Sequence, residues 1–365
     1  MTEWRQLLKD GYDDVRDLAE RLHIPEDRLT ELCDIQDKFP MFVNPYYLSL
    51  IDTEDREDPV RKMCIPEIAE MEAGGKMDTS GEHDNTVLTG MQHKYHETVL
   101  ILSTNQCAMY CRHCFRKRLV GLSADEIARY IGDMARYVRE HKEINNVLVS
   151  GGDAFLNSNE MIRRYLEEFT AIEHLDLIRF GTRTPVVLPQ RITTDSELTE
   201  ILNTYASKKQ IYVVTQFNHP KEITEEAAKA VKLLLKAGIV VKNQTVLLKG
   251  INDTPEILGE LLRRVTTMGI VPYYVFQCRP VTGVYTQFQV PLHEAYRIVE
   301  GAKGRQSGQG KCFRYVLSHE TGKIEILGEA GDGQMLFKYH QAKDEADMGR
   351  IFTRKIEKDQ CWLDM

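Results

Sequence analysis

Long apolar runs are missing from this chain: nowhere in its 365 residues do 18 or more uncharged apolar residues follow one another, so no segment reads as a membrane-spanning helix. The opening Met1-Thr-Glu-Trp-Arg-Gln lacks the apolar stretch that marks a secretory signal. Positive charge is in deficit too. With 47 Lys and Arg against 55 Asp and Glu, the formal net charge of −8 leaves no electrostatic footprint for nucleic acid. No literal repeat is present. Cysteine is sparse, and 8 in 365 residues make no disulfide framework. These absences predict a soluble, cytoplasmic protein with no nucleic-acid or membrane partner. At 42% hydrophobic the chain is long enough for one large core.

Three of the few cysteines stand together, in Cys107-Ala-Met-Tyr-Cys111-Arg-His-Cys114. Thiolates spaced C-x3-C-x2-C can wrap one face of an iron–sulfur cluster. They are one ligand short for a four-iron cluster, and an iron without a protein ligand can accept a substrate or cofactor, as an open position does in a catalytic metal site. Zinc needs a fourth ligand at comparable spacing, and the nearest candidate, His113, is wedged between two of the thiols. The motif therefore predicts an iron–sulfur site.

Residues 1–92 read as a helical extension and linker. An amphipathic stretch from Trp4 to Leu22 predicts one helix, and Pro25-Glu26-Asp27 opens a second that carries Leu29, Leu32 and Ile35. Met71 to Thr86, rich in Gly, Asp, Glu and Ser, predicts an exposed loop whose charges carry no functional weight. From His96 onward the pattern changes. Strands at 98–104, 146–150, 175–180, 211–217, 240–248 and 271–277 each precede a helical stretch, the first of them starting near Ser123. Apolar strands alternating with helices predict an α/β fold with a parallel sheet, wound as an open, partial (β/α)6 barrel over residues 93–304. Phe313 to Leu327 predicts a β-hairpin, and residues 305–365 a hairpin and tail covering the barrel mouth.

Chemistry in parallel barrels collects at the carboxyl ends of the strands. The loops there are polar. Ser150-Gly151-Gly152-Asp153 lets backbone approach a ligand closely, with Asp153 either an acceptor for a cation or a plain helix cap. Arg183 could clamp a carboxylate or serve in an ion pair. Gln216, Asn218, Asn243 and Gln244 are expected to line the same mouth, with His219 in a supporting role. Arg116, Lys117 and Arg118, after Phe115, would offset the negative charge of a cluster.

In sequence order these stretches resemble the lysine 2,3-aminomutase family of the radical SAM superfamily. The resemblance rests on Cys107–Arg118, Leu148–Ala154, Gly181–Arg191, Phe217–Thr224, Asn243–Asp253 and Pro272–Cys278, and spans His93 to Gly304. It implies a [4Fe-4S] cluster on Cys107, Cys111 and Cys114 that cleaves S-adenosylmethionine (SAM). It also implies a SAM amino group held at Ser150, Gly151, Gly152 and Asp153, and further cofactor contacts at His113, Phe115, Arg183 and Gln244. Implied partners are a small-molecule substrate and an external electron donor of the flavodoxin or ferredoxin type. A homo-oligomer is compatible with the family.

The chain departs from that family at two places. The aminomutases hold pyridoxal phosphate through a lysine after a Pro-Gly-rich run; here the run is absent and Lys323 stands at the comparable place, where a solvated lysine at the start of an exposed strand is the expectation. Of three phosphate-binding groups two have counterparts, Lys94 and Tyr95, while Thr98 replaces the third. Lysine-specific members also carry two aspartates for the substrate's amino ends. Here Arg279 and Ser318 take those positions. Unlike charges a few ångströms apart attract by about 4 kcal/mol at an effective dielectric of 20, so reversing one sign disfavours lysine by several kcal/mol. The expectation is a radical SAM enzyme without pyridoxal phosphate, acting on an anionic, carboxylate-bearing substrate held by Arg279. The competing readings are a pyridoxal-dependent aminomutase of altered specificity and a cluster-binding electron carrier.

Overall fold

A computed structural model describes residues 2–363. Among these residues twelve strands form one sheet whose spatial order follows chain order. They are β1 (Thr86–Leu88), β2 (Met91–Tyr95), β3 (Thr98–Thr104), β4 (Asn146–Gly151), β5 (Leu177–Gly181), β6 (Gln210–Thr215), β7 (Val240–Leu247), β8 (Val271–Gln277), β9 (Arg314–His319), β10 (Gly322–Gly331), β11 (Gln334–Ala342) and β12 (Ile351–Lys355). The run from β3 to β9 is parallel throughout, with antiparallel strands on either side. Strands β3 to β8 are each followed by a helix: Ile131–Glu140, Asn159–Thr170, Ser196–Ala206, Glu225–Lys236, Pro255–Thr267 and Leu292–Gly304.

Four of the six crossovers are punctuated alike. Ser158, Asp195, Thr224 and Thr254 each accept a hydrogen bond from a backbone N–H of the turn they precede, satisfying donors that a helix start leaves free. Each strand then divides its side chains by parity. Ile101, Val149, Phe180, Val213 and Val241 are in register on the fully buried helix-facing side. The alternate residues, among them Leu148, Arg179, Tyr212 and Lys242, are less buried and line a cavity of about 510 Å³.

Three local expectations are corrected. The first helix is Glu3–Lys9 only; beyond it Tyr12 pairs with Val43, and Asp14 caps a single 3-10 turn, Val15–Leu18. No helix begins at Ser123, because Ala128 N–H donates to Leu102 O at 2.8 Å and holds the segment along β3; the helix starts at Ile131. The expected hairpin is present as β9 and β10, but β9 also pairs in parallel with β8, so the C-terminal region continues the sheet.

Candidate active site

The carboxyl ends of the parallel strands converge on that cavity, and Cys107, Cys111 and Cys114 line it, none in a disulfide. Among the described residues no three His, Cys, Asp or Glu side chains are arranged to hold a single metal ion. The neighbouring groups fit a larger cluster. Arg183 Nη1 donates to Cys111 Sγ at 2.9 Å. His113 accepts at Nε2 from the amides of Gln216 (3.1 Å) and Asn218 (3.2 Å), which leaves the proton on Nδ1. That buried Nδ1 has no partner in the protein, and burial with the nearby Arg183 keeps the ring neutral. A free N–H between Cys111 and Cys114 suits a cluster sulfide. The zinc reading of His113 fails, because the amides occupy Nε2 and the remaining nitrogen, Nδ1, carries the proton.

Gly151 and Gly152 are required by the protein itself. A Cβ on Gly151, at φ +117°, would lie 2.3 Å from Thr104 O, and one on Gly152 would lie 2.3 Å from Gln106 O. Bare backbone here lets the end of β4 lie against the loop that carries the cysteines. Asp153 takes its cap role: its carboxylate accepts from Phe155 N (3.0 Å), Thr182 Oγ1 (2.6 Å) and Arg183 N (2.7 Å), tying the ends of β4 and β5 together. Ser150 lines the cavity beside them, and Gln244 does so from β7. Arg183 does not offer an open fork. It pairs with buried Glu222 and donates from Nε to Gln216 O, so the ion-pair alternative is what the structure contains. His219 caps a 3-10 turn by accepting from Lys221 N at 3.1 Å.

The segment before the sheet is more than an exposed loop. Residues 71–77 are exposed, but Thr79, Glu82 and Asn85 are buried. Glu82 pairs with Arg116 (2.8 Å) and Arg118 (2.6 Å), and Glu70, fully buried, pairs with Arg112 (2.6 Å) and Lys117 (2.5 Å). The cations after the last cysteine thus pair with these carboxylates, which clamp the N-terminal segment onto the cysteine loop, and two carboxylates against four cations leave positive charge beside Cys114. Burial alone would raise the Glu70 pKa, and Arg112 and Lys117 outweigh it, so the carboxyl stays below its ordinary value. Its stabilisation is present at neutral pH and lost as acid protonates it. Glu70→Gln removes one partner from two buried cations, and we expect a loss of about 3–5 kcal/mol, read as a lower urea midpoint.

The far end of the cavity is cationic. Half-buried Arg279 donates to the hydroxyls of Ser80, Thr79 (3.4 Å) and Ser318 (2.6 Å) and stacks on Phe115 at 4.6 Å. Neither Glu320 nor Glu325 pairs with it, and Glu325 lies 3.5 Å from Arg314 instead. Burial lowers the Arg279 pKa to about 10. Lys94 bridges Ser80 O (3.2 Å) and His319 O (2.8 Å). The expectation for Lys323 is overturned, since its ammonium lies inside the cavity, over the rings of Tyr95 (5.1 Å) and Tyr274 (5.5 Å) and 2.7 Å from Gln341 Oε1. Burial, then Arg179, Lys94 and Arg279, lower its pKa to about 7. Two cations not anticipated from the sequence join it. Arg179 donates to Asn146 Oδ1 at 2.5 Å with Nε unpartnered, and Lys242 lies over Tyr273 (4.5 Å) and Tyr212 (4.9 Å). The parity of β5 and β7 could have pointed to both.

Three thiols at one end of a cavity ringed by parallel strand ends define a radical SAM site, and residues 101–262 match the Radical SAM superfamily. Over 343 residues, 93% of this chain and 91% of the relative, the sequence is 41% identical to a provisionally named L-lysine 2,3-aminomutase of Aquifex aeolicus. It is 38% identical to the L-lysine 2,3-aminomutase of Clostridium subterminale over 309 residues (84% and 73%). Identity to the glutamate 2,3-aminomutase of Clostridioides difficile is 35% over 303 residues (82% and 70%). The chain belongs to the lysine 2,3-aminomutase family of radical SAM enzymes. Membership implies a [4Fe-4S] cluster and SAM.

Proposed function

We propose that this enzyme, built on a partial (β/α)6 barrel, removes a hydrogen atom from a small carboxylate-bearing substrate held by Arg279, as an aminomutase-like reaction requires. The observation that carries this reading is a guanidinium in the cavity wall whose hydrogen-bond partners are hydroxyls rather than a carboxylate. A planar fork of donors suits a carboxylate, and neighbouring Lys94 and Lys323 add to the attraction. The relative named for glutamate supports an amino acid with a second carboxylate.

A cluster on Cys107, Cys111 and Cys114 would supply the electron that cleaves SAM to a 5′-deoxyadenosyl radical. Arg183 anchors the Cys111 thiol, and the unpartnered His113 N–H would be free to donate to a cluster held there. A flavodoxin- or ferredoxin-type donor and a cytoplasmic setting complete the reading. The test is an anaerobic assay with SAM and dithionite, comparing glutamate with lysine. Product from glutamate and none from lysine is expected; product from lysine alone would overturn the choice of an anionic substrate.

The position of Lys323 favours a second reading, in which pyridoxal phosphate is bound and the enzyme is a pyridoxal-dependent aminomutase. An amine with a pKa of about 7 is about half free base at neutral pH, against a trace for an ordinary lysine, and that fraction is nucleophilic. Lys94, Lys242 and Arg179 would then meet a phosphate in the same cavity. Protein mixed with pyridoxal phosphate and treated with borohydride should carry a reduced adduct on Lys323, absent from Lys323→Ala. Because the free amine reacts, the yield should rise as pH passes about 7. An ordinary lysine would show that rise near pH ~10. Without adduct, and without faster turnover on adding pyridoxal phosphate, the first reading stands alone.

A further inference from the structure

A second cavity, of about 500 Å³, lies among the N-terminal helices, and nothing in the radical chemistry uses it. Its walls come from the helix Glu26–Lys38, the helix Pro59–Cys64, the 3-10 turn Ile68–Met71 and the loop after β7. The lining is strongly cationic. Arg28, Arg56, Arg61, Lys62 and Lys249 face two carboxylates, Glu57 and Glu67. Glu67 takes Arg28 at 3.1 Å and Glu57 takes Lys62 at 2.5 Å, which leaves Arg56, Arg61 and Lys249 in surplus among the described residues.

Arg61 is the telling member. It is only 8% exposed, its Nη1 donates to Leu22 O at 2.8 Å, and its buried Nε has no partner. An unpaired guanidinium donor away from water costs free energy unless an acceptor fills the site. Gly250 keeps room for a neighbouring cation, since a Cβ there would lie 2.9 Å from Lys62 Nζ. Ile24, Leu32, Ile65 and Phe288 give the cavity an apolar wall, beside which His23 and the Gln287 amide, its buried Oε1 without a partner, are the other polar groups.

We propose that this cavity binds a phosphate-bearing small molecule, its anionic end on Arg56, Arg61 and Lys249 and its remaining part against the apolar wall. Phosphate oxygens accept from guanidinium and ammonium donors by charge-assisted hydrogen bonds, and the excess of cations favours a multiply charged anion over a single carboxylate. The two walls that would grip the ligand also touch the radical site. From the helix Pro59–Cys64, Met63 O accepts from Arg112 N at 2.9 Å. From the loop after β7, Asn252 donates to Asn218 O at 2.8 Å, and Asn218 Nδ2 reaches His113 Nε2 at 3.2 Å. Occupancy would brace the cysteine loop from behind.

The test is calorimetric titration of cluster-loaded protein with pyrophosphate and with ADP at low and raised salt. Saturable, salt-weakened binding of at least one probe is expected, at least tenfold weaker in Lys249→Glu, whose side chain is exposed, and in Arg61→Gln checked for retained fold by circular dichroism. Binding of neither probe would overturn the proposal. So would binding that survives Lys249→Glu but disappears in Arg279→Asp, because the anion would then sit in the radical cavity.

Discussion

Alanine at Cys107, Cys111 and Cys114 together is expected to give protein that folds, lacks the iron–sulfur chromophore and yields no 5′-deoxyadenosine from SAM and dithionite above background. Cys278, buried just after β8, also lines the cavity, but one thiol cannot replace three; Cys64 is buried with Sγ donating to Val60 O at 3.2 Å, and Cys33, Cys312 and Cys361 do not line the cavity. The fold should survive, because the cysteine loop is held by contacts that do not involve sulfur. Arg112 and Lys117 remain on Glu70, Arg116 on Glu82, and Tyr110 N–H donates to Phe42 O at 2.9 Å. The measurements are iron content, visible absorption and chromatography of the nucleoside product. Iron unchanged in the triple variant would remove the basis for assigning these ligands.

The sequence made the parallel run legible because apolar strands and helical stretches alternate at regular intervals, and it made the cysteine end legible because three thiols fall within eight residues. What it hid was which polar side chains meet. Glu82 looks like an ordinary surface acid in a loop rich in Gly and Ser, Glu70 like another just before it, and only tertiary packing buries them against Arg112 and Arg116. Arg183 and Glu222 are 39 residues apart, and no local pattern announces their pair. Arg179 and Lys242 sat inside runs read as apolar strands. Strict alternation along Leu177-Ile-Arg-Phe-Gly181 and Val240-Val-Lys-Asn-Gln244 would have turned both toward the face opposite the helices. Lys323 was misjudged because a strand's first residue is commonly solvated. Here β9 adds to β8, so β10 begins over the cavity mouth.

Arg279→Asp should invert the charge preference of the substrate cavity while sparing the cluster. The guanidinium contributes to the positive field that depresses the pKa of both Lys94 and Lys323. A unit charge a few ångströms from a substrate carboxylate is worth about 4 kcal/mol at an effective dielectric of 20, and each 1.36 kcal/mol is tenfold; loss of the attraction alone is about three orders of magnitude, so with the added repulsion kcat/KM for an anionic substrate should fall by at least that much. Weak turnover of lysine is the expected gain. Reversing that charge should also let the Lys323 ammonium persist to higher pH, so the borohydride-trapping profile should shift upward from about 7. A merely structural arginine would not move that readout in step with substrate charge. Arg279→Lys keeps the charge but loses the planar fork with its bonds to Ser80 and Ser318, and should keep the anionic preference at reduced rate. If Arg279→Asp unfolds while Arg279→Lys retains full activity and an unshifted trapping profile, the residue only braces β8 against residues 79–80, and the case for an anionic substrate falls with it.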